Sequence, residues 1–130
     1  MNKTLPAGTG ARFPKTSRLL RRPEFSRVFD TGLRIQGRFV TLLLSPNAGR
    51  HSRLGIVASR KLGDSVRRNR AKRLIREVFR QTVPPPGQLG LDVVVIPRRE
   101  IFDAPYSGLE SDFRGALSRG ASRLARHGSR

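Results

Sequence analysis

The sequence has no cysteine, and this absence excludes several classes of protein at once. Disulfide frameworks, cysteine-ligated zinc sites and thiol catalysis all need that residue. The chain is nevertheless 130 residues long, which is typical of one domain. A domain of this size buries roughly two-thirds of its unfolded surface, so a hydrophobic core can form without covalent cross-links. The lack of disulfides constrains the cellular compartment only weakly.

Long apolar segments are also absent from the sequence. The longest apolar runs, residues 42–44 and 93–96, are far too short to span a bilayer, and no signal-peptide core follows Met1. The first 22 residues contain six basic residues and no acid, which resembles the composition of a transit peptide. A helix predicted to begin near the end of this segment favours the alternative, in which the segment belongs to the fold.

Acidic residues are scarce: nine Asp and Glu stand against 27 Lys and Arg, and the net charge is +18. Only four of the basic residues are lysine and the other 23 are arginine, whose planar guanidinium pairs with phosphate and stacks on bases. Such an excess of positive charge repels itself in a compact chain unless a polyanion neutralises it. A nucleic acid is therefore the predicted partner. A membrane surface is the competing partner, and it would require an amphipathic helix with a bulky apolar face.

The few acids do not form a catalytic pattern. A protein nuclease needs a cluster of metal-binding carboxylates or a histidine that acts as acid or base. Glu110 and Asp112 are close in sequence, but residues two apart on a helix point to different sides. We interpret His51 and His127 as surface residues and Asp92 as the partner in a local hydrogen bond. The sequence thus predicts no catalytic residue and no metal site in this chain.

Periodicity and turn residues predict an α+β fold, with one small mixed sheet and helices packed on it in the order α-β-β(β)-α-β-α. The predicted helices cover residues 23–31, a basic segment from residue 66, and a last segment that follows a capping box of Ser107 and Glu110. The predicted strands cover residues 38–45, 53–59 and 91–96, with a short extra strand at 33–36. We expect the strands at 38–45 and 53–59 to form an antiparallel hairpin.

The segment SVRRNRAKRLIRE, residues 65–77, is densely basic and amphipathic. At about 100° per residue, one face holds Ala71, Leu74, Ile75, Val78 and Phe79, and the other holds Asn69, Arg70, Lys72, Arg73, Arg76 and Arg80. We predict that the apolar face packs on the sheet. The basic face is either a solvated surface or a site for a polyanion, and the net charge favours the site. Arg67 and Arg68 fall near the apolar arc, where their stems either extend to solvent or reach passing phosphates.

The segment RKLGDSVRRNRAKRLIREVFR, residues 60–80, closely resembles the signature of the protein component of bacterial ribonuclease P. The R-N-R-x-K-R core of that signature is matched by residues 68–73, and Arg76 and Glu77 match the pair that follows it. Residues 13–32, 53–63 and 92–99 also resemble segments of this family. The resemblance extends over residues 13–124.

This resemblance implies a fold like that of ribosomal protein S5 domain 2, with a left-handed βαβ crossover. It implies a cytoplasmic subunit of a ribonucleoprotein endonuclease that removes the 5′ leader from precursor tRNA. In that enzyme the RNA subunit is catalytic, Mg²⁺ is bound by the RNA subunit and the substrate, and the protein is non-catalytic. The implied partners are the catalytic RNA subunit and precursor tRNA, with no membrane and no obligate protein partner. Residues 13–125 would form a single RNA-binding domain between a flexible N-terminal tail at 1–12 and a basic C-terminal tail at 126–130.

Two groups of residues are expected to contact RNA. The residues expected to bind RNA are Arg60, Lys61, Arg67, Arg68, Asn69, Arg70, Lys72, Arg73 and Arg76. Those of the signature helix are expected to contact the RNA subunit, with Asn69 either bonding RNA or bracing its neighbours, while Arg60 and Lys61 are also candidates for the leader cleft. The residues expected to bind the leader, in a cleft between the first helix and the sheet, are Arg18, Phe25 and Phe29. From their spacing alone, Phe25 and Phe29 are equally well explained as core residues. Two other functions stay open: a ribosomal-type protein that only binds structured RNA, and a nuclease acting alone, against which the scattered acids argue.

Overall fold

The structure is a computed structural model that describes residues 22–47, 52–82 and 90–128. The helices in these ranges are α1 (Arg22–Thr31), α2 (Ser65–Thr82) and α3 (Tyr106–Gly128), with short 3₁₀ helices at Arg60–Leu62 and Arg99–Asp103. The strands are β1 (Leu33–Gln36), β2 (Val40–Pro46), β3 (Arg53–Ile56) and β4 (Leu91–Pro97). The predicted tail at 1–12, Arg18 and His51 lie outside the described residues. Helix α3 continues to Gly128 and so includes the first residues of the predicted C-terminal tail.

The four strands form one mixed sheet in the order β1-β2-β4-β3. Strands β1 and β2 pair antiparallel, β2 and β4 pair antiparallel, and β3 and β4 pair parallel. The predicted hairpin between residues 38–45 and 53–59 is therefore wrong, because β4 lies between these strands. The reason is that Val93, Val94 and Val95 of β4 are buried on both faces of the sheet, which gives this strand a central place. The short predicted strand at 33–36 is confirmed, and it folds back on β2 through a three-residue connection.

Strand β3, helix α2 and strand β4 form a βαβ unit, since the two strands are parallel neighbours joined through the helix. Strand β3 is an edge strand, so α2 begins at one edge of the sheet. The α+β class and the order of elements are confirmed. The left-handed sense of the crossover stays a prediction.

One face of the sheet packs against α2 and α3 and contains most of the core. Strand β2 contributes Leu42 and Leu44, and β4 contributes Val93 and Val95. The buried residues of the two helices in this layer are Ala71, Ile75, Val78, Phe79, Leu109, Phe113, Ala116 and Leu117. The predicted apolar face of the basic helix is thus confirmed, with Leu74 partly buried at its margin.

Helix α3 approaches the sheet closely at Gly120. A Cβ atom at this position would lie 2.1 Å from Cδ1 of Leu44, so any larger residue would have to displace a buried side chain. The helix begins at Tyr106, and the backbone N–H of Leu109 donates to the carbonyl of Pro105 at 3.0 Å. The predicted capping box is therefore wrong, because Ser107 lies inside the first turn of the helix.

The opposite face of the sheet is covered by α1, the one described helix on that side. Val28 is fully buried against Leu43 of β2 and Val94 of β4. Glu24 of α1 pairs with Arg53 of β3, and Arg27 of α1 pairs with Asp92 of β4. Helix α1 therefore crosses β3 and β4, and no other helix of the described ranges packs on this face.

Candidate nucleic-acid interface

Two residues fix the start of α2. Gly63 has a φ of 144°, a conformation that favours glycine, and a Cβ atom there would lie 2.8 Å from Cδ of Arg67. Asp64 caps the helix, because its Oδ1 accepts the backbone N–H of Arg67 at 3.0 Å. The helix consequently begins at Ser65, close to the predicted start at residue 66.

The outer face of α2 carries the central residues of the predicted RNA site. Asn69, Arg70, Arg73 and Arg76 are exposed, and Lys72 is half-buried. Within the described ranges no carboxylate forms an ion pair with any of these cations. The opposite face of the helix is buried in the core. The helix therefore displays a row of unpaired cations on a rigid support.

Arg80 continues this row but differs from the other cations. Its Nη2 donates to both carboxylate oxygens of Glu77, at 2.6 and 2.7 Å. This hydrogen bond lowers the pKa of the Glu77 carboxyl, and Gln81 adds a further donor to the same group. The charge of Arg80 is thus balanced locally, which marks the C-terminal limit of the unpaired cations on α2.

Arg67 and Arg68, the two arginines near the apolar arc, have different surroundings. The guanidinium of Arg67 lies over the ring of Phe102, 5.4 Å from its centroid, in a cation–π contact. Arg68 is half-buried, and its Nε is shielded from solvent without a hydrogen-bond acceptor among the described residues. Arg67 is therefore supported by an aromatic ring, whereas Arg68 holds a donor that needs an acceptor.

Arg60 and Lys61 lie just before α2, in the 3₁₀ helix that follows β3. Both side chains are exposed, while the next residue, Leu62, is buried in the core. Leu62 anchors the turn, and the two cations extend the basic surface from α2 toward the edge of the sheet.

Phe25 and Phe29 lie one turn apart on α1 but are buried to different extents. Phe25 is half-buried against the cluster beneath α1, whereas Phe29 keeps 48% of its surface exposed. The structure therefore shows that Phe29 is not a core residue. Phe25 lies at the margin of the core. Arg18, the third residue predicted to bind the leader, lies outside the described residues.

The sheet beside α1 presents further groups that the sequence did not single out. Val57 and Ile96 are half-buried at the margin of the cluster beneath α1. Arg34 pairs across the hairpin with Leu43, so its exposed side chain lies on the same face as α1. We call the surface formed by Phe25, Phe29, Arg34, Val57 and Ile96 the α1 surface. It combines an exposed aromatic ring, an apolar floor and a cation.

A buried ion-pair network centred on Asp92 holds α1 against the sheet. The Asp92 carboxylate is fully buried and accepts hydrogen bonds from Arg53, Asn47 and Arg27, at 2.8 to 3.1 Å. Arg53 also donates to Glu24 of α1 at 2.6 Å, and its hydrogen bond to Asp92 raises the pKa of the guanidinium. The prediction of a local partner for Asp92 is wrong, because its donors come from distant segments that the central position of β4 brings together.

The two acids that lie closest in the sequence also have structural partners. Asp112 accepts the backbone N–H groups of Arg38 and Phe39, both at 2.8 Å, and so fixes the turn between β1 and β2. Glu110 pairs with Arg114 at 3.2 Å. The side chains of this acid pair therefore stabilise a turn and a helix.

Fold and charge together define a class: a small basic α+β protein that displays unpaired cations on one helix, with an aromatic surface on the far side of the sheet. None of the helices in the described ranges combines the length and apolar character that crossing a bilayer requires.

Comparison with known proteins identifies the family within that class. The family model described as Ribonuclease P matches residues 13–120. The ribonuclease P protein component of Thermotoga petrophila is 41% identical over 93 residues, which cover 70% of this chain and 77% of the relative. The corresponding protein of Paramagnetospirillum magneticum is 37% identical over 110 residues, covering 81% and 83%.

Solved structures agree with this assignment. The ribonuclease P protein from Thermotoga maritima superposes with a TM-score of 0.69 at 36% identity, covering 79% of this chain and 96% of that chain. The protein from Staphylococcus aureus gives a TM-score of 0.68 at 30% identity, covering 80% and 94%. The chain belongs to the family of bacterial ribonuclease P protein components. It is therefore a protein component of a tRNA-processing ribonuclease, and its partner is the ribonuclease P RNA.

Proposed function

We propose that this subunit binds the ribonuclease P RNA through the outer face of α2. The observation that carries the proposal is the row of exposed, unpaired residues Asn69, Arg70, Arg73 and Arg76 on a helix whose other face is buried. Cations that are not paired with carboxylates can neutralise phosphates, and this releases the counterions condensed on the RNA. Like charges one turn apart, such as Lys72 and Arg76, destabilise an isolated helix by a few tenths of a kcal/mol. A bound polyanion would relieve this repulsion.

Arg68 supports the same interface from the inner margin of the helix. A shielded N–H without an acceptor costs about 1–3 kcal/mol, and the Nε of Arg68 is such a group among the described residues. A phosphate or sugar oxygen of the RNA would supply the missing acceptor. Arg60, Lys61 and Arg67 would extend the contact to the start of the helix, where their side chains are exposed.

The α1 surface is proposed as the site that holds the single-stranded 5′ leader of precursor tRNA. Single strands bind where a positive groove lies beside aromatic side chains on which bases stack. Phe29 supplies an exposed ring, and Arg34 supplies a cation on the same face of the sheet. Phe25 would form the inner edge of this platform, because it is only half-buried. Arg18 stays a predicted member of the site.

The proposed division of labour leaves catalysis to the RNA subunit. Mg²⁺ is bound by a few carboxylates together with water and substrate phosphates, yet the described carboxylates do not converge on such a site. Asp92, Asp112 and Glu77 are each engaged by arginine or backbone donors. The Mg²⁺ ions would therefore be held by the RNA subunit and the substrate, and the protein residues would bind and orient RNA. This division would operate in the cytoplasm without an obligate protein partner.

The α2 interface is tested by measuring assembly of the protein with the ribonuclease P RNA over a range of salt concentrations. Simultaneous alanine substitution of Arg70, Arg73 and Arg76 should weaken binding and reduce the salt slope by roughly 0.7–0.9 for each lost phosphate contact. Arg80→Ala is the matched control, since Glu77 already balances that charge. A folded triple variant that binds as tightly as the control, with an unchanged slope, would exclude α2 as the interface.

A further inference from the structure

A cavity of about 540 Å³ lies between the start of α2 and the 3₁₀ helix Arg99–Asp103. Its lining consists of Arg67, Arg70, Arg99, Glu100, Phe102 and Asp103. Only Arg67 and Arg70 belong to the predicted RNA site. The other four residues come from the segment after β4 and bring acidic and aromatic groups to the margin of the basic face. The volume falls within the range of cavities that hold small ligands.

The charged groups of this cavity do not neutralise one another. Among the described residues, Arg67, Arg70 and Arg99 form no ion pair with a carboxylate, although two acids line the same space. Asp103 accepts no hydrogen bond from any described residue, and Glu100 reaches only Arg98, at 3.9 Å. A site for phosphate alone would be weakened by carboxylates. A site for a whole nucleotide uses both charges, because guanidiniums bind phosphate and carboxylates accept hydrogen bonds from the amino groups of bases.

The aromatic side of the cavity is suited to a base. The ring of Phe102 lies beneath the guanidinium of Arg67, with 5.4 Å between the guanidinium carbon and the ring centroid. Unpaired bases in RNA stack on aromatic rings and on guanidinium planes. The cavity thus combines an aromatic ring and a guanidinium, both groups on which a base can stack, with Asp103 as an exposed acceptor.

We propose that this cavity binds one unpaired nucleotide of the ribonuclease P RNA, with a base that carries an exocyclic amino group. Arg70 and Arg99 hold its phosphate, the Arg67–Phe102 pair stacks on the base, and Asp103 accepts a hydrogen bond from the amino group. The inference rests on the proposed function, since it places the RNA subunit on α2. The RNA subunit is preferred to precursor tRNA because the cavity adjoins α2, whereas the α1 surface lies on the other face of the sheet.

The proposal is tested by whether Asp103→Ala raises or lowers the affinity for the ribonuclease P RNA. Asp103→Ala removes a negative charge from a strongly basic protein, so the variant should bind RNA more tightly if Asp103 only repels phosphate. If Asp103 accepts a hydrogen bond from a base, affinity for the ribonuclease P RNA should instead fall, by about tenfold. Asp30→Ala is the matched control, because Asp30 is an exposed acid on α1, and it should bind as tightly as the wild type or slightly more tightly.

Arg99→Ala provides the second arm. Arg99→Ala should also weaken binding of the ribonuclease P RNA. Chemical probing of the Watson–Crick edges of that RNA should show one unpaired nucleotide that the wild-type protein protects. The same nucleotide should react when Asp103→Ala or Arg99→Ala replaces the wild type. Tighter binding of Asp103→Ala, no change in reactivity, or protection on precursor tRNA instead of the RNA subunit would each overturn the proposal. Arg73→Ala distinguishes failure of the nucleotide site from failure of the proposed RNA interface on α2. If Arg73→Ala loses affinity while both cavity variants bind like wild type, the α2 interface stands and the nucleotide site does not.

Discussion

Arg53 and Asp92 form a two-pronged ion pair on the face of the sheet that α1 covers. Nε and Nη2 of Arg53 donate to the two carboxylate oxygens at 2.8 and 2.9 Å. The Asp92 side chain is fully buried, while that of Arg53 keeps 27% of its surface exposed. Arg27 and Glu24 join this pair from α1. The position of α1, and with it the α1 surface, depends on these contacts.

Asp92→Ala should destabilise the fold substantially. Breaking a buried ion pair costs about 3–5 kcal/mol because the remaining charge is left without a partner. Arg53 is partly solvated and would keep Glu24 as a partner, so we expect the free energy of unfolding to fall by about 2–4 kcal/mol, as measured by urea denaturation. The matched control is Glu110→Ala, whose partner Arg114 is 62% exposed. That change should cost less than about 1 kcal/mol, and equal losses for the two variants would contradict the role given to Asp92.

Arg68→Met should separate folding from RNA binding. The substitution removes the shielded Nε–H that lacks an acceptor among the described residues, so the free energy of unfolding should be unchanged or higher by up to about 1 kcal/mol. Binding to the ribonuclease P RNA should weaken, with the salt slope reduced by roughly 0.7–0.9. Arg70→Met is the comparison at an exposed position, where only binding should change. A less stable Arg68→Met protein would mean that Arg68 supports the fold.

Phe29→Ala should weaken binding of the leader with little effect on folding. Because the ring is 48% exposed, the thermal midpoint should change little. The affinity of the holoenzyme for precursor tRNA should fall by roughly 1–3 kcal/mol, the cost of losing one base–aromatic stack. Mature tRNA, which lacks the leader, should bind as before.

Phe79→Ala is the contrasting core variant, since Phe79 is 2% exposed and its loss should cost about 3–5 kcal/mol of stability. A Phe29→Ala protein that loses affinity equally for both tRNAs would place the leader elsewhere.

Two glycines of α3 should respond in opposite directions to alanine. A Cβ atom at Gly120 would lie 2.1 Å from Cδ1 of Leu44, so Gly120→Ala should destabilise the protein by about 1–3 kcal/mol through overpacking. A Cβ atom at Gly115 meets only the flexible end of Arg119, at 3.4 Å. Gly115→Ala should therefore stabilise the helix by up to about 1 kcal/mol. Thermal unfolding of the two variants compares them directly, and the same sign for both would contradict the packing described at Gly120.

Periodicity in the sequence was sufficient to predict the helices but not to predict which strands pair. The 3.6-residue repeat of Ala71, Ile75 and Val78 predicted both the helix and its buried face, because the repeat itself creates an apolar stripe. The partner of a strand depends on the burial of the whole sheet. The prediction therefore paired β2 with β3, while the structure inserts β4 between them.

Some residues of the candidate site could likewise be predicted from local spacing, whereas others depend on how the strands pair. The row of cations on α2 follows from local spacing: Arg70, Arg73 and Arg76 are exposed as the spacing predicts, and Lys72 is half-buried. The positions of Arg34, Arg99 and Phe102 depend on strand register and on the turn after β4, which no local pattern encodes. Likewise, no pattern near Asp92 indicates that Arg27, 65 residues away, is one of its donors.

The rate of 5′ leader removal from precursor tRNA at low Mg²⁺ concentration tests whether the RNA subunit is catalytic and the protein assists it by binding RNA through α2. The rate is measured for the ribonuclease P RNA alone, for rigorously RNA-free protein alone, and for the two together. We expect slow cleavage by the RNA, none by the protein, and marked acceleration when wild-type protein is added. The variant with alanine at Arg70, Arg73 and Arg76 should not accelerate the reaction. Metal-dependent cleavage by the protein alone would place catalysis in the protein, and a wild-type protein that leaves the rate of the RNA unchanged would mean that it does not assist the reaction.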